Sequence, residues 1–305
     1  MPRRLRYVPP GSLVEITCRT VQGRLLLRPS PILTELTLGV LARAARLYPV
    51  EIHGYVFLSN HFHLLLTVES AQRLAAFMNY LNSNLAREAG RLIRWREKFW
   101  GRRYQAILVT AEEAAQVDRL RYLLAHGTKE GLVASPLDWP GAHCARALVD
   151  GTPVRGRWHN RTLEFKARRR SLPLDPHAFV EAETVRLAPI PCWSYCDADE
   201  YRARIRSLIR DIERSARTEA EASGMGPLGR HALLLQNPHL EPNRIKKGPA
   251  PLAHAASAAA RRSLRHAYAV FLGAFRAAAR RLRAGVLDAA SPAGSFPPAL
   301  PFRTG

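Results

Sequence analysis

The chain has 305 residues, of which 47% are hydrophobic, so it can bury a substantial core and is longer than one average domain. Its 46 lysines and arginines outnumber 25 aspartates and glutamates, which gives a formal net charge of +21 and favours nucleic acid as a polyanionic partner. The apolar runs are too short for a membrane span, and no apolar segment follows the basic start, so we expect neither membrane insertion nor secretion. Four cysteines in this length suggest no disulfide framework, and together these features predict a cytoplasmic protein.

Strand-like and helix-like segments alternate over the first 140 residues. The periodicity and the turn residues between the segments predict their type. In chain order they are a strand at 13–18, a helix at 31–47, strands at 50–58 and 61–68, a helix from 70 to about 89, a strand at 104–110 and a helix at 111–126 that ends at Gly127. This βαββαβα order predicts an α+β sandwich with its helices on one face of the sheet.

The composition changes after Trp139-Pro140-Gly141, where a domain boundary is expected. We predict a loop-rich and helical accessory region at 141–250 and a basic helical DNA-binding region with a Pro-rich tail at 251–305. From Lys246 to Leu287 there are nine lysines or arginines and no acidic residue. An ordinary solvated helix face mixes both signs, so a phosphate-facing surface is favoured. The predicted DNA contacts there are Lys246, Lys247, Arg261, Arg262 and Arg265.

The sharpest local pattern is Ser59-Asn60-His61-Phe62-His63, followed by three leucines. On a strand, His61 and His63 project from one face about 7 Å apart at their bases, so two imidazoles can converge on one cation. Phe62 and the alternate leucines point to the other face and anchor the strand. The alternative is a pair of half-buried histidines with hydrogen-bond partners.

A second pattern lies at the end of the predicted helix 111–126. Tyr122 and His126 are four residues apart and share a helix face, which places a phenol beside a third imidazole. If this face lies against His61 and His63, three imidazoles surround one metal position with a tyrosine hydroxyl nearby. The alternative is Tyr122 at the edge of the core and His126 as a partner of the helix dipole.

The segment His61-Phe62-His63 and residues 122–133 resemble the HUH motif and the nucleophile helix of single-tyrosine transposases. Within that group the chain is most similar to the REP-associated tyrosine transposases. The resemblance covers residues 10–140 and includes Phe99-Trp100-Gly101-Arg102-Arg103-Tyr104. It implies that residues 1–140 form a ferredoxin-like HUH nuclease domain, followed by a mainly α-helical basic C-terminal region.

The resemblance also implies a reaction. Tyr122 would attack single-stranded or hairpin DNA and form a 5′-phosphotyrosine, while a divalent ion, Mg²⁺ or Mn²⁺, would be held by His61, His63 and His126. Relatives often carry an amide four residues after the tyrosine. The all-imidazole set here moves the preference toward Mn²⁺ or a later transition metal, and leaves open that Asp118 completes the coordination.

Several basic and aromatic residues are secondary candidates. Arg119 or Arg121 could stabilise the phenolate. The predicted DNA contacts in this region are Arg102, Arg103, Arg119 and Arg121. Tyr104 is the second choice of nucleophile, and Tyr80 is expected to lie away from the ligands. A homodimer is left open.

Two other functions compete with the transposase. One is a non-catalytic basic nucleic-acid-binding protein, and the other is a metal-dependent hydrolytic nuclease that uses water in place of Tyr122.

Overall fold

The computed structural model of the protein describes residues 4–170, 175–242 and 251–296. The strands are β1 (Ser12–Arg19), β2 (Glu51–Phe57), β3 (His61–Val68), β4 (Gln105–Val109), β5 (Val154–His159), β6 (Val180–Val185) and β7 (Ala253–His254). The helices are α1 (Pro31–Leu47), α2 (Ala71–Leu92), α3 (Glu113–Leu124), α4 (His126–Lys129), α5 (Ala145–Asp150), α6 (Arg161–Arg169), α7 (Ala198–Ser223), α8 (Arg230–Leu235) and α9 (Ala258–Arg283). Short 3-10 turns lie at Val21–Gly23, Pro136–Asp138, Pro176–Phe179 and Pro191–Trp193.

Serine caps begin the two long helices of the first region. The Ser30 side chain accepts a hydrogen bond from the Leu33 amide with Pro31 at the first helical position, and the Ser70 side chain accepts one from the Arg73 amide. Such caps satisfy amides that the first turn leaves unpaired. The helix predicted at 31–47 and the strand predicted at 61–68 have these bounds in the structure.

The central sheet has the strand order β2-β3-β1-β4-β7. The strands β1 to β4 pair antiparallel, with β1 between β3 and β4, which is the arrangement of a ferredoxin-like βαββαβ unit. The predicted α+β class is therefore confirmed. The short strand β7 adds to the edge of the sheet and runs parallel to β4.

Both faces of this sheet are covered, so the expectation of helices on one face is wrong. Trp100 packs edge-on against Phe62 and donates to the Asn82 carbonyl of α2, which places α2 on the Phe62 face. Tyr122 of α3 packs against His63, which points to the other face. The reason is that residues 62–66 are buried without alternation, and a strand buried on both faces needs a layer on each.

The third helix ends earlier than the sequence predicted. The helix α3 stops at Leu124, and after Ala125 one further turn, α4, carries His126. Gly127 lies inside this turn and is not the residue that ends the helix. A Cβ at Gly127 would lie 3.2 Å from the Val133 side chain, so close packing explains the glycine there.

The region after residue 141 contains a hairpin that the sequence did not predict. The antiparallel pair β5 and β6 packs against α1, where Gly39 and Gly156 bring the two backbones together. Arg43 of α1 donates to Glu181 and Glu183 of β6, and its guanidinium lies 3.7 Å from the centre of the Trp158 ring. The hairpin is thus joined to the first region by backbone contact and by ion pairs.

The C-terminal region lies against the start of the chain. Tyr268 of α9 donates to the Leu5 carbonyl, and the Val8 amide donates to the carbonyl of Gly294 at 3.0 Å. Arg6 stacks on Phe296, so the described part of the Pro-rich tail wraps onto the body. No helix within the described ranges is long and apolar enough to cross a membrane.

Candidate metal and nucleophile site

Three histidines converge on the face of the sheet opposite Phe62. The ligand nitrogens of His61, His63 and His126 all lie within 4.8 Å of one another, and the Nε2 atoms of His61 and His126 are 2.8 Å apart. His63 and His126 are buried and His61 is half-buried. The strand alternation of β3 supplies two rings and the turn after α3 supplies the third.

A buried carboxylate lies directly behind this cluster. Glu15 on β1 is 5% exposed and accepts a hydrogen bond from Nδ1 of His63 at 2.8 Å. Its other oxygen lies 2.7 Å from Nε2 of His254 and 3.6 Å from a guanidinium nitrogen of Arg119. Burial alone would raise the pKa of Glu15, but the close His254 nitrogen and the hydrogen bond from His63 hold this pKa well below its usual range, so the side chain is a carboxylate.

Sequence reasoning missed both Glu15 and His254. A charged residue in the middle of an apolar strand was the available signal for Glu15, since such a group needs a buried partner. Nothing local to residues 253–254 indicates that they pair with β4.

The side chain of Tyr122 packs against the histidines and is half-buried. Its ring centre is 5.7 Å from that of His63 and 5.0 Å from that of His126. The guanidinium of Arg119 lies 4.7 Å and the ammonium of Lys129 5.3 Å from the centre of the Tyr122 ring. Burial and then the charge of Glu15 raise the pKa of Tyr122, and Arg119 opposes them.

The predicted basic residues fall in different places. Arg119 is at the site, and Arg121 is exposed on the same helix. Arg102 and Arg103 instead line a cavity of about 470 Å³ that also includes Asn82 and Trp100, next to the Phe62 face of the sheet. The exposed arginines of α9 include Arg261, Arg262 and Arg265. Lys246 and Lys247 lie outside the described residues.

The other tyrosines and Asp118 are not part of the cluster. The Arg6 guanidinium lies 4.5 Å from the centre of the Tyr104 ring. Tyr104 lines the same cavity as Arg102 and Arg103, on the side of the sheet opposite the histidines. Tyr80 on α2 packs against Tyr48. Asp118 forms an ion pair with Arg119 and is 63% exposed at its side chain. The suggestion that Asp118 completes the ligand set is therefore not supported.

The donor set fits a divalent metal ion. Three imidazole nitrogens within mutual reach leave coordination positions open for water or a substrate oxygen. The contact with Glu15 fixes the tautomer of His63. Because a carboxylate only accepts hydrogen bonds, the Nδ1 atom of His63 must carry the proton. The lone pair of His63 is then on Nε2, which is left to bind a metal ion. A hydrogen bond from the other ring nitrogen to a carboxylate is typical of metal-ligating histidines.

Comparison with known proteins finds a family similarity over one segment of the chain. Residues 30–122 match the family of IS200-like transposases, and this segment contains His61, His63 and Tyr122. The match confirms the resemblance to single-tyrosine transposases and supports a transposase role, which is that of a DNA-processing enzyme.

Two solved structures are similar to the chain. One is a REP-associated tyrosine transposase bound to a REP hairpin, with 18% identity, a TM-score of 0.42, and coverage of 49% of this chain and 86% of that chain. The other is a candidate transposase from Deinococcus radiodurans R1, with 17% identity, a TM-score of 0.29, and coverage of 39% of this chain and 95% of that chain. No curated protein matches the sequence significantly.

Proposed function

We propose that the protein is a metal-dependent single-stranded DNA transesterase in which Tyr122 is the nucleophile. The observation that carries the proposal is the contact of the Tyr122 ring with His63 and His126 on one face of the sheet. The residues come from β3, α3 and the turn after α3, so the fold brings a phenol and three imidazoles together from distant parts of the sequence.

The proposed step exchanges one phosphate ester for another. The Tyr122 oxygen forms a bond to phosphorus, the bond from phosphorus to the 3′-oxygen breaks, and the phenol proton is lost to water or to the leaving oxygen. The products are a 5′-phosphotyrosine and a free 3′-hydroxyl, and a later attack by a 3′-hydroxyl reverses the step. No external energy source is required, because the ester bond is conserved in the covalent intermediate.

The residues around the phenol have separate tasks. A divalent ion held by His61, His63 and His126 would supply Lewis-acid stabilisation of a phosphate oxygen. The Arg119 guanidinium beside the Tyr122 ring favours the phenolate that burial and Glu15 disfavour. The half-buried position of Tyr122 leaves it open to an unpaired DNA backbone.

We base the proposed DNA-binding surface on the distribution of positive charge along α9. Seven arginines of α9 are exposed, and no acidic residue occurs between Ala258 and Arg283, so this helix presents one sign of charge to phosphates. Arg102, Arg103, Arg121, Lys246 and Lys247 are further proposed contacts to single-stranded or hairpin DNA. A homodimer, a cytoplasmic location and the division at residues 140 and 250 stay predictions.

Trapping of the covalent intermediate tests the proposal. The full chain is incubated with Mn²⁺ and an end-labelled oligonucleotide that carries a hairpin and a single-stranded flank, and the products are separated on a denaturing gel. We expect a labelled protein band with the wild type that is lost in Tyr122→Phe. Tyr104→Phe is the matched control, because Tyr104 lies on the other side of the sheet, and it should retain the band.

The other outcomes identify the competing functions. Cleavage that persists in Tyr122→Phe without a protein band indicates a hydrolytic nuclease. Binding without cleavage, unaffected by chelator or by His63→Ala, indicates a non-catalytic nucleic-acid-binding protein. Either result contradicts the proposed transesterase.

A further inference from the structure

The carboxylate of Glu15 is the centre of a buried cluster of basic side chains. It contacts His63, His254 and Arg119, and these come from three separate elements, β3, β7 and α3. A buried charge is stable only when its partners remain in place. The position of this carboxylate is therefore set by all three contacts together.

Two of these contacts act on the proposed reaction. The oxygen that accepts from His63 holds the ring so that Nε2 faces the other histidines. The oxygen that faces Arg119 lies next to the guanidinium that covers the Tyr122 ring. Glu15 therefore connects the proposed metal ligands to the proposed nucleophile without touching a substrate.

The third contact, His254, comes from a different region of the chain. Its backbone pairs with β4, where the Thr110 amide donates to the His254 carbonyl at 3.0 Å. The Glu112 carboxylate accepts from the amides of Ala256 and Ser257 at 2.9 and 3.0 Å. These bonds fix β7 on the sheet edge and hold the His254 ring over Glu15.

We propose that His254 is a positioning residue of the metal site, through which the basic C-terminal region becomes part of that site. The inference rests on the proposed function and extends it beyond the segment that matches the transposase family. His254 is the closest neighbour of one Glu15 oxygen at 2.7 Å. Without it, the carboxylate turns toward Arg119 and the bond that orients His63 is weakened.

Metal affinity of the DNA-free full chain tests this role. Free Mn²⁺ is measured by electron paramagnetic resonance during titration of the wild type, His254→Ala, His254→Gln and His266→Ala. Loss of a residue that orients a ligand weakens metal binding 10- to 100-fold. For His254→Ala we expect the Mn²⁺ affinity to fall about tenfold, because Arg119 still lies beside Glu15. His254→Gln should recover most of the affinity, because its amide can donate to Glu15. His266→Ala is the matched control, since His266 is exposed on α9.

A second readout separates this proposal from the proposed function. Nitrogen-15 spectra of the histidine side chains report the tautomer of His63, and we expect the Nδ1-protonated form in the wild type and a mixture in His254→Ala. Unchanged Mn²⁺ affinity or an unchanged tautomer in His254→Ala overturns the positioning role. A wild type that binds no Mn²⁺ contradicts the metal site of the proposed function, and the tautomer then still decides the role of His254.

Discussion

At the scale of single residues, Arg119 and Arg121 show how two neighbouring cations have different surroundings. Arg119 contacts Glu15 and covers the Tyr122 ring, whereas Arg121 is exposed one position before that tyrosine. Under the proposed function, Arg119 acts on the charge that develops on the phenol, and Arg121 is left to contact the DNA backbone.

Substitution of each arginine therefore changes a different kinetic quantity. We expect Arg119→Ala to lower the single-turnover rate of adduct formation at saturating DNA by about 10²-fold, the order seen when one stabilising donor is removed. Arg121→Ala should leave that rate unchanged and weaken DNA binding, because it removes one phosphate contact. Equal loss of rate in both variants would contradict the separate assignments.

The buried thiols give a second prediction at this scale. Burial raises the pKa of Cys18 and of Cys144 to about 12, and only a thiolate is alkylated readily. At pH 8 Cys18 and Cys144 should react with iodoacetamide only after denaturation, whereas Cys196, whose pKa burial also raises, is half-buried and should react slowly in the native protein. Mass spectrometry of labelled peptides with and without denaturant provides the measurement, and native labelling of Cys144 would contradict the buried packing.

The sequence predicted the three histidines and Tyr122 because their spacing within one strand and one helix is local information. Glu15 and His254 could not be assigned in this way. Their roles depend on the register of β1 against β3 and on the pairing of β7 with β4, which are contacts between distant segments. Local patterns specify which way a side chain points, but they do not specify which strand lies beside it.

At the scale of elements, the hairpin β5 and β6 was missed because helix α6 and residues 171–174 separate its strands, and because Gly156 interrupts the alternation. The same glycine is what lets the hairpin approach α1. A Cβ built on Gly156 lies 2.0 Å from the Gly39 amide nitrogen, and one on Gly39 lies 2.2 Å from the Arg157 carbonyl oxygen. Both distances are to backbone atoms, which cannot rotate away.

Substitution by alanine tests this close contact. Gly39→Ala or Gly156→Ala should lower the free energy of unfolding by about 1–3 kcal/mol, because the added methyl group overpacks the interface. The control is Gly273→Ala in α9, where nothing lies within 4 Å of the added Cβ, and helix propensity should raise stability by about 0.8–1 kcal/mol. Urea denaturation measures all three, and a stabilised Gly39→Ala would contradict the contact.

At the scale of the whole molecule, the net charge of +21 is unevenly neutralised. Arginines of α7 such as Arg202, Arg204 and Arg214 lie beside acidic residues of their own helix. The helix α9 contains no acid that could do the same. Within the described residues, α9 thus presents seven exposed arginines with no acidic residue on the same helix, next to the start of the chain.

This asymmetry predicts the salt dependence of DNA binding. Replacement of Arg261, Arg262 and Arg265 by glutamine should reduce the slope of log K against log salt by about 2, since each single-stranded phosphate contact contributes about 0.7. The triple variant of Arg202, Arg204 and Arg214 has the same change in net charge and should keep a slope close to that of the wild type. Equal slopes in both triple variants would show that net charge, and not α9, determines binding.

The position of β7 also has a consequence for the order in which the protein is made. Strands β1 to β4 and the three clustered imidazoles leave the ribosome well before residues 253–254, which must return to the edge of a sheet that already exists. A nascent chain therefore exposes the three imidazoles without the His254 contact until residues 253–254 have left the ribosome. If His254 orients that centre as proposed, a chain that has not yet placed β7 binds the metal ion more weakly, and full metal affinity arises together with the arginine-rich helix that follows β7.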